Sequence, residues 1–183
     1  EQNLFATRRH EYLIEQKQFN GVEIVNDYSD KISIKLNFKN CVKDIYWVVK
    51  VLDNDHYNYS ASETDYLNGG NTISNTSIEL NGTEIVTNLD GSYTNYVIPY
   101  ERFNSTPSDG INVYSFSLNP NSYQPTGSLN FSFVDLGKMK IELDETFKTY
   151  LIDNNKIIHI KLYAKSYNVL RIMSGLGGLA FFE

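Results

Sequence analysis

Four kinds of residue in this chain could do chemistry. Histidine comes first, as the usual general base and metal ligand near neutral pH. His10, His56 and His159 are the three present, and no His-x-His or His-x-x-x-His pair sets two of them side by side. No Gly-x-Ser-x-Gly turn offers them a nucleophile. Carboxylates gather at Asp53, Asp55, Glu63 and Asp65, which suggests a calcium loop. The position where such a loop needs glycine for its sharp turn is Asn58, so the pattern fails. Cys41 is the only cysteine, which leaves no intrachain disulfide framework and no Cys-x-x-Cys metal site. Its expected role is packing as a small apolar residue. Gly175-Leu-Gly177-Gly178 lacks the spacing of a dinucleotide fingerprint and opens no helix, so it reads as a bend. The expectation is therefore a chain with no catalytic centre, no cofactor and no metal.

One class of modification remains. Asn58, Asn75, Asn81, Asn104 and Asn130 each head an Asn-x-Ser/Thr triplet, the acceptor for N-glycosylation in a chain that meets that machinery. Asn130 lies in an expected strand and is the least accessible. The other four are the candidate sites.

The elements that would position these residues are strands. The chain has 183 residues, enough for one substantial core, with 14 Tyr, 10 Phe and 21 Asn. Aromatic, Ser- and Thr-rich composition with many short alternating runs favours an all-β sandwich or barrel. Lys31 to Phe38 is the cleanest case, with Ile32, Ile34, Leu36 and Phe38 opposed to Lys31, Ser33, Lys35 and Asn37. Val42 to Leu52 is a longer, more buried strand carrying the only tryptophan, Trp47. These two read as a hairpin around Lys39-Asn40. Further strands are expected at Glu11–Phe19 (turned by Asn20-Gly21), Val22–Val25, Thr76–Leu80, Ile111–Leu118, Leu129–Phe133, Met139–Leu143, Lys156–Ala164 and Tyr167–Ile172. Residues 53–75 and 83–109 read as a long loop and an irregular excursion, and Asp144–Asp153 as a turn. No convincing amphipathic helix is seen.

Charge and hydropathy exclude some partners. The net charge of −6 argues against a nucleic-acid groove, which needs clustered Lys and Arg. No run approaches the ~20 apolar residues of a membrane-spanning helix. The absence of disulfides fits assembly in a reducing compartment. The sequence opens on Glu1 rather than Met, which leads to the expectation of a preceding part.

Eight segments in order carry a more specific signal: Glu11-Tyr-Leu-Ile-Glu-Gln16, Val42-Lys-Asp-Ile-Tyr-Trp-Val-Val49, Leu80-Asn-Gly82, Gly91-Ser-Tyr-Thr-Asn-Tyr96, Pro99-Tyr-Glu-Arg102, Gly110-Ile-Asn-Val-Tyr-Ser-Phe-Ser-Leu118, Gln124-Pro-Thr-Gly-Ser-Leu-Asn-Phe-Ser132 and Tyr167-Asn-Val-Leu-Arg-Ile-Met-Ser-Gly175. Together they resemble the C-terminal half of the major capsid protein of nucleocytoplasmic large DNA viruses, the iridovirus, chlorovirus and giant-virus type. The resemblance implies an eight-stranded antiparallel jelly-roll β-sandwich, the second half of a double jelly roll. Residues 11–183 would be that domain, and residues 1–10 the connection from a first jelly roll. It also implies a homotrimer forming a pseudo-hexagonal capsomer in an icosahedral shell. Neighbouring capsomers and minor capsid proteins would be the partners, with assembly in the host cytoplasm. The family commonly has Asn-Phe-Ser-Arg-Ile where this chain has Asn130-Phe-Ser-Phe133-Val134, so a contact made by that arginine would be lost. Two other classes stay open on residues alone: a glycan-binding β-sandwich whose Asn-rich aromatic loops stack on sugars, and an enzyme on a cupin-like barrel, which the three dispersed histidines do not support.

Overall fold

The computed structural model describes residues 7–28, 31–52, 57–65 and 67–181. In chain order the strands are β1 (His10–Val25), β2 (Ile32–Lys35), β3 (Cys41–Val51), β4 (Ile73–Leu80), β5 (Thr83–Asp90), β6 (Ile111–Ser115), β7 (Leu129–Asn130), β8 (Gly137–Leu143), β9 (Ile158–Met173) and β10 (Leu176–Leu179). Helix α1 (Ile98–Phe103) follows a wide helical turn at Tyr93–Val97, and α2 (Glu145–Asp153) links β8 to β9. One sheet runs β1-β9-β3-β6, with β10 on β9 and β7 on β3; the other runs β2-β8-β4-β5. All pairings are antiparallel. These two four-stranded sheets form the eight-stranded jelly roll, to which β7 and β10 are short additions.

The core is where the two inner faces meet. The first sheet sends in Ile45, Trp47, Val49, Ile158, Ile160 and Leu162; the second sends in Ile34, Ile78, Met139 and Ile141, all buried. Each such side chain contributes roughly 1.5–3 kcal/mol of transfer free energy. Phe147 and Leu151, one helical turn apart on α2, are part of the same core.

Several elements differ from the sequence reading. Residues 31–38 and 42–52 are not a hairpin: β2 pairs with β8, and β3 pairs with β9 and β6 in the opposite sheet. Alternation in the first segment continues through Leu36 and Phe38, but its apolar side faces β3 across the core instead of lying beside it. Asn40, with φ of +61°, turns the chain from one sheet to the other. Asn20-Gly21 is not a turn either. It is a bulge inside the 16-residue β1, between Phe19 and Val22, with Gly21 at φ +100°. Lys156–Ala164 and Tyr167–Ile172 merge into the single strand β9. Ser174-Gly175 is a two-residue hairpin turn, and β10 begins at Leu176, so Gly177 and Gly178, read as part of a bend, lie within a strand.

Three polar stretches are more ordered than their composition suggested. Thr83–Asp90, read as excursion, is an edge strand on which Val86 alone is buried. Asp144–Asp153, read as a turn, is α2 with its N-cap: the Asp144 carboxylate accepts from the Thr146 and Phe147 amides at 3.0 and 3.1 Å. Leu129–Phe133, read as one strand, ends at Asn130. A short 3-10 turn then buries Phe131 and leaves Phe133 79% exposed.

Candidate assembly surface

The dispersed titratable residues stay dispersed. His159 lies on β9 opposite Ile24 and Lys50, and His10 opens β1. His56, Asp53 and Asp55 lie outside the described residues. Asp65 caps a local turn through the Leu67 and Asn68 amides at 3.1 and 2.9 Å. Glu63 contacts the Tyr150 hydroxyl, with Lys156 at 3.8 Å. Among the described residues no group of three or more His, Cys, Asp or Glu is placed to hold a metal. Cys41 is only partly buried. It helps line an open cavity of about 350 Å³ with Leu13, Tyr167, Val169 and Phe181, so it packs only in part as the small apolar residue expected.

One end of the sandwich is tied by buried amides. Asn112 is fully buried; its carbonyl oxygen accepts from the Asn71 amide at 2.8 Å and the Thr94 hydroxyl at 2.7 Å. Asn95 accepts from the Gly110 amide at 2.9 Å. Asp109 takes the Tyr96 hydroxyl at 2.6 Å and the Gly70 amide at 2.7 Å. Burial and this bond to Asp109 push the Tyr96 hydroxyl up to about 12. Gly110 sits so close to the Tyr59 carbonyl that a Cβ would approach it to 1.8 Å, at φ +83°. Segments 57–65, 67–72, 91–97 and 108–112 are thereby held as one unit.

A second constellation was not anticipated: Lys43 and Asp44, consecutive charges, are both buried within β3. The signal was present in the sequence, as two charges inside an otherwise apolar strand. Lys43 occupies a bulge between Val42 and Asp44. Its ammonium donates to Glu15 and, at 2.8 Å, to the Pro120 carbonyl, and lies 5.5 Å from the Tyr167 ring centroid. Asp44 accepts from the Ser115 hydroxyl at 2.7 Å. Burial pushes its carboxyl up, against the opposing pull of Ser115 and Lys43. Burial acts the same way on Glu15, but there Lys43 and Lys165 prevail and hold it below the usual carboxylate range. The Pro120 contact, with Arg102 donating to the Leu118 carbonyl at 3.0 Å, anchors the corner after β6. That corner displays Leu118 and Tyr123, 71% and 88% exposed.

The outer faces of the two sheets differ in kind. On the β2-β8-β4-β5 sheet, Lys31 meets Glu142 at 2.8 Å and Lys140 meets Glu79 and Glu84 at 2.9 and 2.8 Å. This is a solvated, charge-paired surface. On the other sheet, the β3-β6 half carries its own cover, with Phe103 of α1 against Tyr46 at 6.2 Å between centroids. The β1-β9 half is open. Strand alternation directs Leu13, Phe19, Val22, Ile24 and Tyr163 away from the core, and all five are exposed. Phe19 and Tyr163 stack at 4.8 Å. An exposed apolar sheet face of this kind marks a contact surface.

The Asn triplets fall in different environments. Asn58 is 3% exposed, and its amide nitrogen, where a glycan would attach, donates to the Ser62 and Glu63 carbonyls. Asn75 is partly buried against Glu142, and Asn81 is bound to residues 133–136. Asn104 is exposed at the end of α1.

Comparison with known proteins adds the wider context. Residues 1–178 match the family model described as large eukaryotic DNA virus major capsid protein. The chain is 33% identical to the major capsid protein of Pyramimonas orientalis virus, over 99% of this chain and 45% of that protein. It is 32% identical to the major capsid protein of Paramecium bursaria Chlorella virus 1, over 99% of this chain and 51% of that one. Among solved structures it is similar to the PBCV-1 virus capsid quasi-atomic model, with a TM-score of 0.77 and 29% identity, covering 99% of this chain and 54% of the other. The chain thus spans about half the length of these relatives.

Proposed function

This chain belongs to the large eukaryotic DNA virus major capsid protein family, and on that premise we propose that it is the second jelly roll of a double-jelly-roll shell subunit. Its work is structural. Residues 1–10 lead in from a first jelly roll, three subunits form a pseudo-hexagonal capsomer, and capsomers tile an icosahedral shell built in the host cytoplasm. Neighbouring capsomers and minor capsid proteins are its partners, and it performs no catalysis.

The observation that carries this reading is the open β1-β9 face. The sandwich has a complete core without it, so its stacked Phe19 and Tyr163 serve a contact outside this domain. The loop knot and the tethered 116–128 corner fit the same purpose, since shell contacts need surfaces held in one shape. A glycan-binding role has no comparable support from the relatives.

Sedimentation equilibrium of the full-length polypeptide tests this. Three times the subunit mass, stable on dilution, is the expected result. A monomer at high concentration overturns the trimer.

A further inference from the structure

We infer that the β1-β9 outer face seats a second copy of this protein, and that the contact is head-to-tail: this face of one subunit meets a different, acidic surface of the next. The inference rests on the trimeric reading above and deepens it by naming the surface and the symmetry of the contact.

Charge carries the argument. Outward-facing residues of β1 and β9 include the cations Lys17, Lys161, Lys165 and Arg171, against the carboxylates Glu11 and Glu15. That is a formal +2 in a chain of net −6, which leaves −8 for the rest. Arg171 is bound to Glu11 at 2.8 Å and Lys165 lies 3.6 Å from Glu15. Lys17 and Lys161 make no ion pair among the described residues, and they flank the Phe19–Tyr163 stack on either side. An apolar centre bordered by free cations needs an apolar partner with an acidic rim. Copies of this chain, acidic everywhere else on balance, supply that rim.

The same charges decide the symmetry. Two such faces meeting about a two-fold axis would bring Lys17 and Lys161 of both copies into one interface, like against like. A contact with a different surface avoids this, and head-to-tail contacts close into rings.

The test uses the full-length polypeptide in three forms: unaltered, Phe19→Ser with Tyr163→Ser, and Lys17→Glu with Lys161→Glu. Circular dichroism confirms that each folds, and sedimentation at low and high salt reads the assembly. The expected result is a trimer for the unaltered protein, with trimer dissociation raised roughly 100-fold in the Ser variant. The Glu variant is expected to dissociate most at low salt, where repulsion is least screened. A trimer unchanged in both variants overturns this inference while leaving the trimeric reading intact. So does an intact trimer whose subunits melt at a lower temperature, which assigns the face to the other half of the same polypeptide. An unaltered protein that sediments as a monomer overturns both readings. So does a dimer.

Discussion

Lys43 is the residue on which most of the outer architecture of the first sheet depends. It is 1% exposed, and its ammonium joins Glu15 on β1 to the Pro120 carbonyl of the corner. Removing Glu15 leaves a buried ammonium short of a countercharge. Glu15→Ala is therefore expected to cost about 1 kcal/mol in a urea titration, after allowing for solvent screening of the half-exposed carboxylate. Glu84→Ala, on the solvated sheet face, is expected to leave the midpoint unchanged. Asp144 gives a pH-dependent counterpart. Burial alone would raise its carboxyl, but the Thr146 hydroxyl and the amides of Phe147 and Thr146 hold it low. A lowered folded value means stability that is present above the unfolded value of about 3.9 and lost as pH falls through the folded one. Asp144→Ala should cost about 1 kcal/mol at pH 7. The gap from the unaltered protein should close in melts below about pH 4. Asp144 did not stand out in the sequence. A cap is legible only once a helix is suspected, and α2 has just two buried apolar residues, Phe147 and Leu151. Of the candidate glycosylation sites, exposed Asn104 is expected to accept a glycan in a secretory host and buried Asn58 to refuse it. Peptide mass mapping reads both, and a glycan on Asn58 without loss of fold would contradict the placement.

At the scale of elements, periodicity identified the strands of the core and misjudged those of the rim. β8 and β9 alternate strictly, so Met139, Ile141, Ile158, Ile160 and Leu162 were legible as core. β5 was not, because an edge strand with one buried residue has no apolar face to show. The β2–β3 hairpin was a natural reading of two adjacent runs, but alternation gives the direction of a side chain and not the identity of the neighbouring strand. The end of β7 makes a sharp test. Phe131 and Phe133 have the same parity in a strand, yet the 3-10 turn separates them. Phe131 is 2% exposed and packs edge-on to Phe38 at 5.9 Å between centroids. Phe131→Ala should cost about 3–5 kcal/mol and Phe133→Ala less than about 0.5 kcal/mol. Equal losses would show that the segment continues as a strand.

The whole molecule is a closed sandwich with one unfinished surface. One outer face is charge-paired, half of the other is covered by α1 and neighbouring segments, and the β1-β9 half shows an apolar strip flanked by free lysines. Little of this was legible from composition, because a strand's outward residues become a surface only when the sheet order is known. The jelly-roll class itself was legible, through eight short motifs in order rather than through any one of them. The loop knot was not, since Asn71, Thr94, Asn95 and Asp109 lie in stretches that read as loop or irregular excursion, and Asn112 in an expected strand. Cryo-electron microscopy of the virus particle that carries this protein tests the central claim most directly. The expected result is a shell of capsomers with hexagonal outline, three subunits each, into which this jelly roll fits with its β1-β9 face against the adjacent subunit. A shell whose density does not accommodate the jelly roll, or a particle in which the protein lies outside the shell, would contradict it.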